Sequence, residues 1–260
     1  ESAMLRSLVG SEMCIRDRKN NMRIITVKCL DDNFSYILIN EESNNACVID
    51  PGESKPIIDI ILKEKLNLKY ILNTHHHGDH VGGNLDLKDK FNCSVIGFNK
   101  DKDNIPGINI FVKDKELYQN NDFEFTTYHT PGHTKGHVIF HFHIQNLLFT
   151  GDTLFSLGCG RIFEGSYDQM FNSLKLIKNF SRDTLIYFGH EYTFQNSKFC
   201  SHHDPNNNKL KNKILEITDK LKNNLPTTPT YLKEELDCNI FLKCKDLSSF
   251  SKLRELKDNF

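Results

Sequence analysis

The stretch 73-NTHHHGDH-80 packs four histidines, a glycine and an aspartate into a single turn of chain. It directly follows KYILNT (69–74), a short apolar run that predicts a strand. Residues just past a buried strand lie in a loop at the sheet edge, where sites tend to be built. In an extended segment His75 and His77 project from the same side. Gly78 lets the chain turn, so Asp79 and His80 face a second position. The arrangement offers two nitrogen ligands for one metal, and one oxygen and one nitrogen for a neighbouring metal. His76 is expected to point away from both.

Three further stretches repeat the pattern of a strand, a glycine and then a ligand-type side chain. TPGHTKGH (130–137) presents His133, FTGDTLF (149–155) presents Asp152, and YFGHEYT (187–193) presents His190. Any one of them alone would read as a polar loop residue. Together the seven suit two metals. His75, His77 and His133 serve one, Asp79, His80 and His190 serve the other, and Asp152 lies between them. Asp50, in VIDPG, is expected to brace the site by accepting hydrogen bonds. His137 is expected to support it from behind. His141 and His143 read as alternating strand residues, and His202 and His203 as part of a polar loop; none of these four is given a role.

The rest of the chain sets limits on this reading. With 33 Lys and Arg against 34 Asp and Glu in 260 residues, there is no global basic field of the kind non-specific nucleic-acid binding needs. No apolar run approaches the length of a membrane span. The 8 cysteines form no C-x-x-C pair, which excludes a zinc knuckle or thioredoxin-like motif. A chain this long does not need disulfide staples, so they read as reduced thiols. Trp is absent while Asn, Lys, Ile and Phe abound, a bias attributed to AT-rich coding.

Along the chain, residues 1–21 differ from everything that follows. They read as a non-native or disordered leader, and their acidic residues and poor amphipathicity argue against a mitochondrial presequence. From Met22 onward IITVKCL, SYILIN and NACVIDPG predict strands. SKPIIDIILKEKL predicts a helix capped by Ser54, with Ile57, Ile58, Ile61 and Leu62 on one face. Strands follow at CSVIGF, FEFTTYHT, HVIFHFHI and NLLFTGD, then a helix at YDQMFNSLKLIKNF and a strand at TLIYFGHE. Beyond about residue 192 strands give way to lysine-rich helices. The boundaries are therefore a leader at 1–21, a mixed strand-and-helix domain at 22–192 and a helical domain at 193–260, which the resemblance given below implies to be catalytic and substrate-binding. The first part suits a sheet sandwich flanked by helices.

H-x-H-x-D-H, followed by P-G-H-T, a G-D aspartate and a late G-H, resembles the metallo-β-lactamase superfamily over residues 22–193. The resemblance implies an α+β fold, the four-layer αββα sandwich, with a small C-terminal helical domain. GCGRIFEG (158–165), GHEYT (189–193) and LRELKD (253–258) resemble the glyoxalase II family within it. That resemblance implies hydrolysis of S-D-lactoylglutathione to D-lactate and glutathione. It also implies two divalent metal ions, Zn foremost with Fe or Mn compatible, that activate water for attack on the thioester. Asp79 and Asp152 hold metal and orient the nucleophile. No strong general acid is required, because the departing thiolate is a weak base, and no serine or cysteine nucleophile is marked.

Carried over residue by residue, Arg161, Tyr192, Arg254 and Lys257 bind glutathione, and Phe163 stands where many members have Tyr. The partner is a small glutathione thioester, with no nucleic acid and no membrane. The chain is expected to be a monomer or weak dimer, and cytoplasmic, with a mitochondrial address as the alternative. The rival from the same superfamily is a glutathione persulfide dioxygenase with a single iron, against which stand GHEYT and the paired basic residues of the tail. A nuclease lacks its extra domain and basic groove here, and intact ligand spacing argues against a non-catalytic binding protein.

Overall fold

The computed structural model describes residues 22–260; the expectation for the leader, residues 1–21, lies outside them. The first sheet has six strands in the order β1 to β6: Met22–Cys29, Asn33–Asn40, Asn45–Ile49, Asn67–Leu72, Ser94–Phe98 and Ile110–Val112. The second sheet also has six strands. They are β7 (Leu117–Gln119), β8 (Glu124–His129), β9 (Val138–Phe142), β10 (Leu147–Gly151), β13 (Leu185–Phe188) and β14 (Thr230–Tyr231), ordered β14-β13-β10-β9-β8-β7. Between β10 and β13 the short hairpin of β11 (Leu154–Phe155) and β12 (Gly158–Cys159) stands apart.

Strand β2 shows why the sheets stack. It is buried along its whole length, because its two faces serve two apolar layers. Ile37 and Ile39 point into a layer with Val48, Val95 and the helices α1 (Lys55–Lys63), α2 (Gly78–Val81) and α3 (Asn84–Phe91). Tyr36 and Leu38 point the other way, into the inter-sheet core. There the Tyr36 ring meets Phe149 at 5.4 Å and Tyr187 at 5.1 Å across the gap. On the far face of the second sheet, Phe180, just past α4 (Tyr167–Ile177), packs against Tyr128 and His141. The layers are therefore helix, sheet, sheet, helix.

The last part of the chain forms α5 (Thr193–His203), α6 (Asn208–Lys222), α7 (Leu232–Cys238), α8 (Ile240–Lys243) and α9 (Leu247–Asp258). Helices alone were expected here, yet β14 pairs antiparallel with β13 through Leu185↔Tyr231 and Ile186↔Thr230. Two residues between prolines and a helix leave too little periodicity to announce a strand.

Three local expectations also need correction. Ser54 occupies the helix start, but its hydroxyl donates to Asp86 instead of capping. Leu62 is exposed, because it sits about 140° around the helix from the buried Ile57, while Ile61 nearly eclipses it. His202 and His203 end α5 rather than occupying a loop, and His143 lies just beyond β9. The seven cysteines among the described residues are all free thiols. No helix among the described residues is long and apolar enough to cross a membrane.

Candidate metal centre and adjoining cleft

One edge of the sandwich gathers the loops that leave β3, β4, β8, β10 and β13. Backbone geometry there is specialised. Gly151 ends β10 at φ +47°, and a Cβ on it would fall 2.4 Å from Thr74 Oγ1, so only glycine lets Asp152 follow so closely. Asp50, just past β3, also adopts a left-handed conformation, φ +49°, which aspartate tolerates better than most residues. In that pose its carboxylate accepts from Thr74 N (2.7 Å) and Thr74 Oγ1 (2.6 Å).

The seven sequence-derived residues converge at this edge. Ligand-type atoms of His75, His77 and His133 lie within 4.8 Å of one another, and so do those of Asp79, His80 and His190. Asp152 lies between the groups: its carboxylate is 3.4 Å from His80 Nε2, 3.3 Å from His133 Nε2 and 3.3 Å from His190 Nε2. Two other groups meet the same distance condition, Asp50 with His75 and His80, and His76 with His77 and Glu164. In the first, the Asp50 carboxylate is already occupied by Thr74 and His80 Nδ1.

The outward ring nitrogens define which way the imidazoles work. His80 Nδ1 donates to Asp50 Oδ2 at 3.1 Å and His190 Nδ1 to Asp32 Oδ1 at 2.8 Å. His133 Nδ1 donates to the Arg161 carbonyl at 2.7 Å. Thr74 Oγ1 spends its proton on Asp50, so it accepts from His75 Nδ1 at 3.0 Å. Each of these rings therefore turns Nε2 inward, the nitrogen left to serve as a ligand. Inside, His80 Nε2 meets His190 Nε2 at 3.2 Å, and His133 Nε2 meets His77 Nδ1 at 3.0 Å. Buried His75 Nε2 and Asp152 Oδ1 have no hydrogen-bond partner among the described residues. Ring nitrogens crowded inward around orphaned acceptors are a donor set that a divalent cation satisfies once it displaces their protons, so the residues present fit one.

Electrostatics agrees. Burial alone would raise the Asp152 carboxyl, but His80 and His190 more than offset it and hold it well below the usual carboxylate range. Asp79 is lowered likewise, against burial, by its contact with His190 and the charge of His80. Burial pulls His190 down, yet Asp152 and hydrogen bonds to Asp152, Asp79 and Asp32 lift it to about 11. His75 falls well below the ordinary histidine value through burial and the neighbouring His80.

Supporting residues surround the cluster, and among them Asn33 carries no sequence signal of its own. Asn33 Nδ2 donates to Asp79 Oδ2 at 2.9 Å. His137 Nε2 accepts from Asp152 N at 3.0 Å, which holds the aspartate's backbone. His76 faces away from the cluster, with Nδ1 on Asp101 at 2.9 Å and Nε2 on Glu164 at 3.1 Å.

Beside the cluster opens a cleft of ≈ 700 Å³, lined among others by Arg161, Phe163, Tyr192, Arg254 and Lys257. The Phe163 ring stands edge-on to His77 and His133, at 5.7 and 5.3 Å, and is 63% exposed. Arg254 and Lys257 differ in their surroundings. Arg254 is only 4% exposed; it donates to Cys159 O at 2.9 Å and to Asp258 at 2.8 Å, and its Nε is left unpaired. Lys257 Nζ donates to the Gln195 carbonyl at 3.5 Å and lies over the Phe199 and Phe260 rings at 5.2 and 5.5 Å. Phe155, Gln195 and Asn196 also line the cleft, and none of them was singled out by the sequence.

Comparison with known proteins gives the same picture. Residues 31–190 match the metallo-β-lactamase superfamily, and residues 191–260 match the hydroxyacylglutathione hydrolase C-terminus. A hydroxyacylglutathione hydrolase of Pelagibacter ubique is 56% identical over 239 residues, covering 92% of this chain and 100% of that protein. One from Prochlorococcus marinus is 43% identical over 237 residues, covering 90% of this chain and 96% of that protein. The crystal structure of ETHE1 from Myxococcus xanthus superposes with TM-score 0.68 at 22% identity, covering 89% of this chain and 90% of that one, a likeness of fold. Two family matches lying end to end, and relatives of this identity over nearly the whole chain, show that the chain belongs to the hydroxyacylglutathione hydrolase family of the metallo-β-lactamase superfamily.

Proposed function

We propose that this chain hydrolyses S-D-lactoylglutathione and related 2-hydroxyacylglutathione thioesters to the free acid and glutathione. The observation that carries the reading is the inward-facing imidazole cluster around Asp152, set beside a cleft with cationic side chains. His75, His77 and His133 are the residues to hold one divalent cation, and Asp79, His80 and His190 the other. Asp152 is shared, and zinc is the metal the nitrogen-rich set favours, with iron and manganese compatible. When bound, such cations lower the pKa of water toward neutrality and offset charge developing on a carbonyl oxygen.

The chain's own groups do the rest. Asp32, Asp50, Thr74 and the Arg161 carbonyl hold the rings in the tautomer that leaves Nε2 free. Asp79 and Asp152, kept ionised, orient the attacking oxygen. Phe163 shields His77 and His133 from bulk solvent. Arg161, Tyr192, Arg254 and Lys257 bind the peptide, whose carboxylates need fixed cations. The thiolate leaves without an acid because its conjugate acid is far stronger than an alcohol.

The test joins metal analysis to a thioester assay on the purified protein. Two equivalents of metal and S-D-lactoylglutathione hydrolysis that chelation abolishes, but thiol alkylation spares, support the reading. One equivalent of iron with oxygen uptake on glutathione persulfide overturns it.

A further inference from the structure

His76 stands apart from the other histidines of its run. Both of its ring nitrogens meet carboxylates: Nδ1 lies 2.9 Å from Asp101 and Nε2 lies 3.1 Å from Glu164. Asp101 is buried, accepts also from Asn104 Nδ2 at 2.8 Å, and packs so tightly on the 130–137 loop that a Cβ on Gly136 would lie 2.5 Å from its Cγ. Glu164 has a second partner, the Lys135 amide at 2.9 Å. One carboxylate thus ties the segment bearing His75 and His77 to the loop bearing His133. It sits on a third segment, 158–165, that carries Arg161 and Phe163.

That third segment has no regular structure beyond β12. It is attached through Phe163 N and Glu164 N to the His133 carbonyl, at 3.2 and 3.3 Å, and through Gly165 N to Gly132 O at 3.1 Å. Those bonds anchor its backbone to one loop only. Gly160 N adds a bond to Thr153 O at 3.3 Å and Arg161 Nε one to Asp258 at 3.2 Å, and Glu164 supplies the attachment to the segment bearing His75 and His77. Glu164 is absent from the cleft wall, whereas Arg161 and Phe163 are part of it.

We infer that Glu164, clasped by His76, is a positioning residue that fixes Arg161 and Phe163 over the cleft and so determines how tightly a glutathione thioester is held. The inference rests on the thioesterase reading. The clasp acts through Arg161 and Phe163 and supplies no group to the reaction. Its effect therefore falls on substrate binding and on the order of one segment.

The test uses the purified holoenzyme and three variants: Glu164→Ala, Glu164→Gln and Glu164→Ala with His76→Ala. Glu164→Ala is expected to raise KM for S-D-lactoylglutathione about tenfold, to change kcat less than about threefold, and to leave metal content unaltered. Glu164→Gln, whose amide oxygen still accepts from Lys135 N, should recover most of the KM. Adding His76→Ala to Glu164→Ala should add little, because the two share one contact.

Hydrogen exchange read by mass spectrometry should show faster exchange in residues 160–166 of Glu164→Ala, with β9 and β10 unchanged. An unchanged KM with unchanged exchange in 160–166 overturns the clasp. So does a loss of metal and kcat together, which would make Glu164 a support for the histidines instead. If the wild-type protein fails to hydrolyse the thioester, the functional reading falls, and the exchange measurement still decides whether Glu164 orders the segment.

Discussion

The Tyr192 ring lies flat on the His190 imidazole, with centroids 4.7 Å apart and planes within 4°. The same side chain lines the cleft, so on the proposed reading its face packs on the histidine and its hydroxyl is the group offered to substrate. The two roles separate by substitution. Tyr192→Phe keeps the stack and removes one hydrogen bond, so KM for the thioester should rise about two- to tenfold with metal content intact. Tyr192→Ala should also weaken the metal position that His190 serves. Equal effects of the two variants on metal content would contradict this division.

Asp152 touches histidines of both groups, whereas Asp32 braces His190 alone. Asp152→Ala should therefore empty both metal positions. Asp32→Asn should weaken one of them by roughly 10–100-fold, the usual effect of losing an outer partner. Titration with a chelator, followed by metal analysis, measures the difference. Loss of a single equivalent from Asp152→Ala would remove its bridging role.

Arg254 and Lys257 should respond differently, because one is buried and engaged while the other is open to the cleft. Lys257→Ala should raise KM about tenfold or more without altering the melting temperature. Arg254→Ala should raise KM and also destabilise the fold by about 1–3 kcal/mol, since Cys159 O loses its side-chain donor and Asp258 one of two. A small thioester lacking the peptide should be hydrolysed alike by wild type and Lys257→Ala. Thermal melts and kinetics with both substrates decide the matter.

The pH dependence of the metal-free protein follows from three shifted groups. Asp79 and Asp152 are held below the ordinary carboxylate range. Their stabilisation is present above about pH 4 and is lost as pH falls below it. His190 is lifted to about 11. Its contribution is complete below about pH 6.5 and is lost as pH rises toward 11. A cation loading the Asp79, His80 and His190 position near pH 7.5 must therefore displace protons. One loading His75, His77 and His133 displaces none, because all three are shifted toward the neutral form. Calorimetry in buffers of different ionisation enthalpy counts these protons, and zero release at both positions would refute the asymmetry.

The donor set was legible because each member announces itself locally: a strand ends, a glycine turns the chain, and the next polar side chain faces the edge. Asp32 was not, since its partner His190 lies 158 residues away and only the pairing of the two sheets brings them together. Asp50 and Thr74 were half legible; a turn aspartate after a strand suggests bracing, but not which groups it holds. The tail showed its helices and its basic residues. It did not show that Asp258 accepts from both Arg161, at 3.2 Å, and Arg254, a link between residues far apart in sequence. Leu62 misled because an apolar residue next to a buried stripe satisfies a loose reading of helical periodicity while lying on the solvent side.

The pairing of β14 with β13 has a consequence for how the molecule is made. Synthesis runs from the amino end, so all seven cluster histidines and aspartates have emerged once His190 is translated. The strand that borders β13, and the helix that carries Arg254 and Lys257, come last. A chain interrupted after residue 192 would present β13 as a bare sheet edge, with unpaired amides and carbonyls open to a neighbouring polypeptide. It would also carry the donor set without the cations of the tail. Thr230 and Tyr231 are thus a closing step, and premature termination should yield a sticky, unselective fragment and not a smaller enzyme.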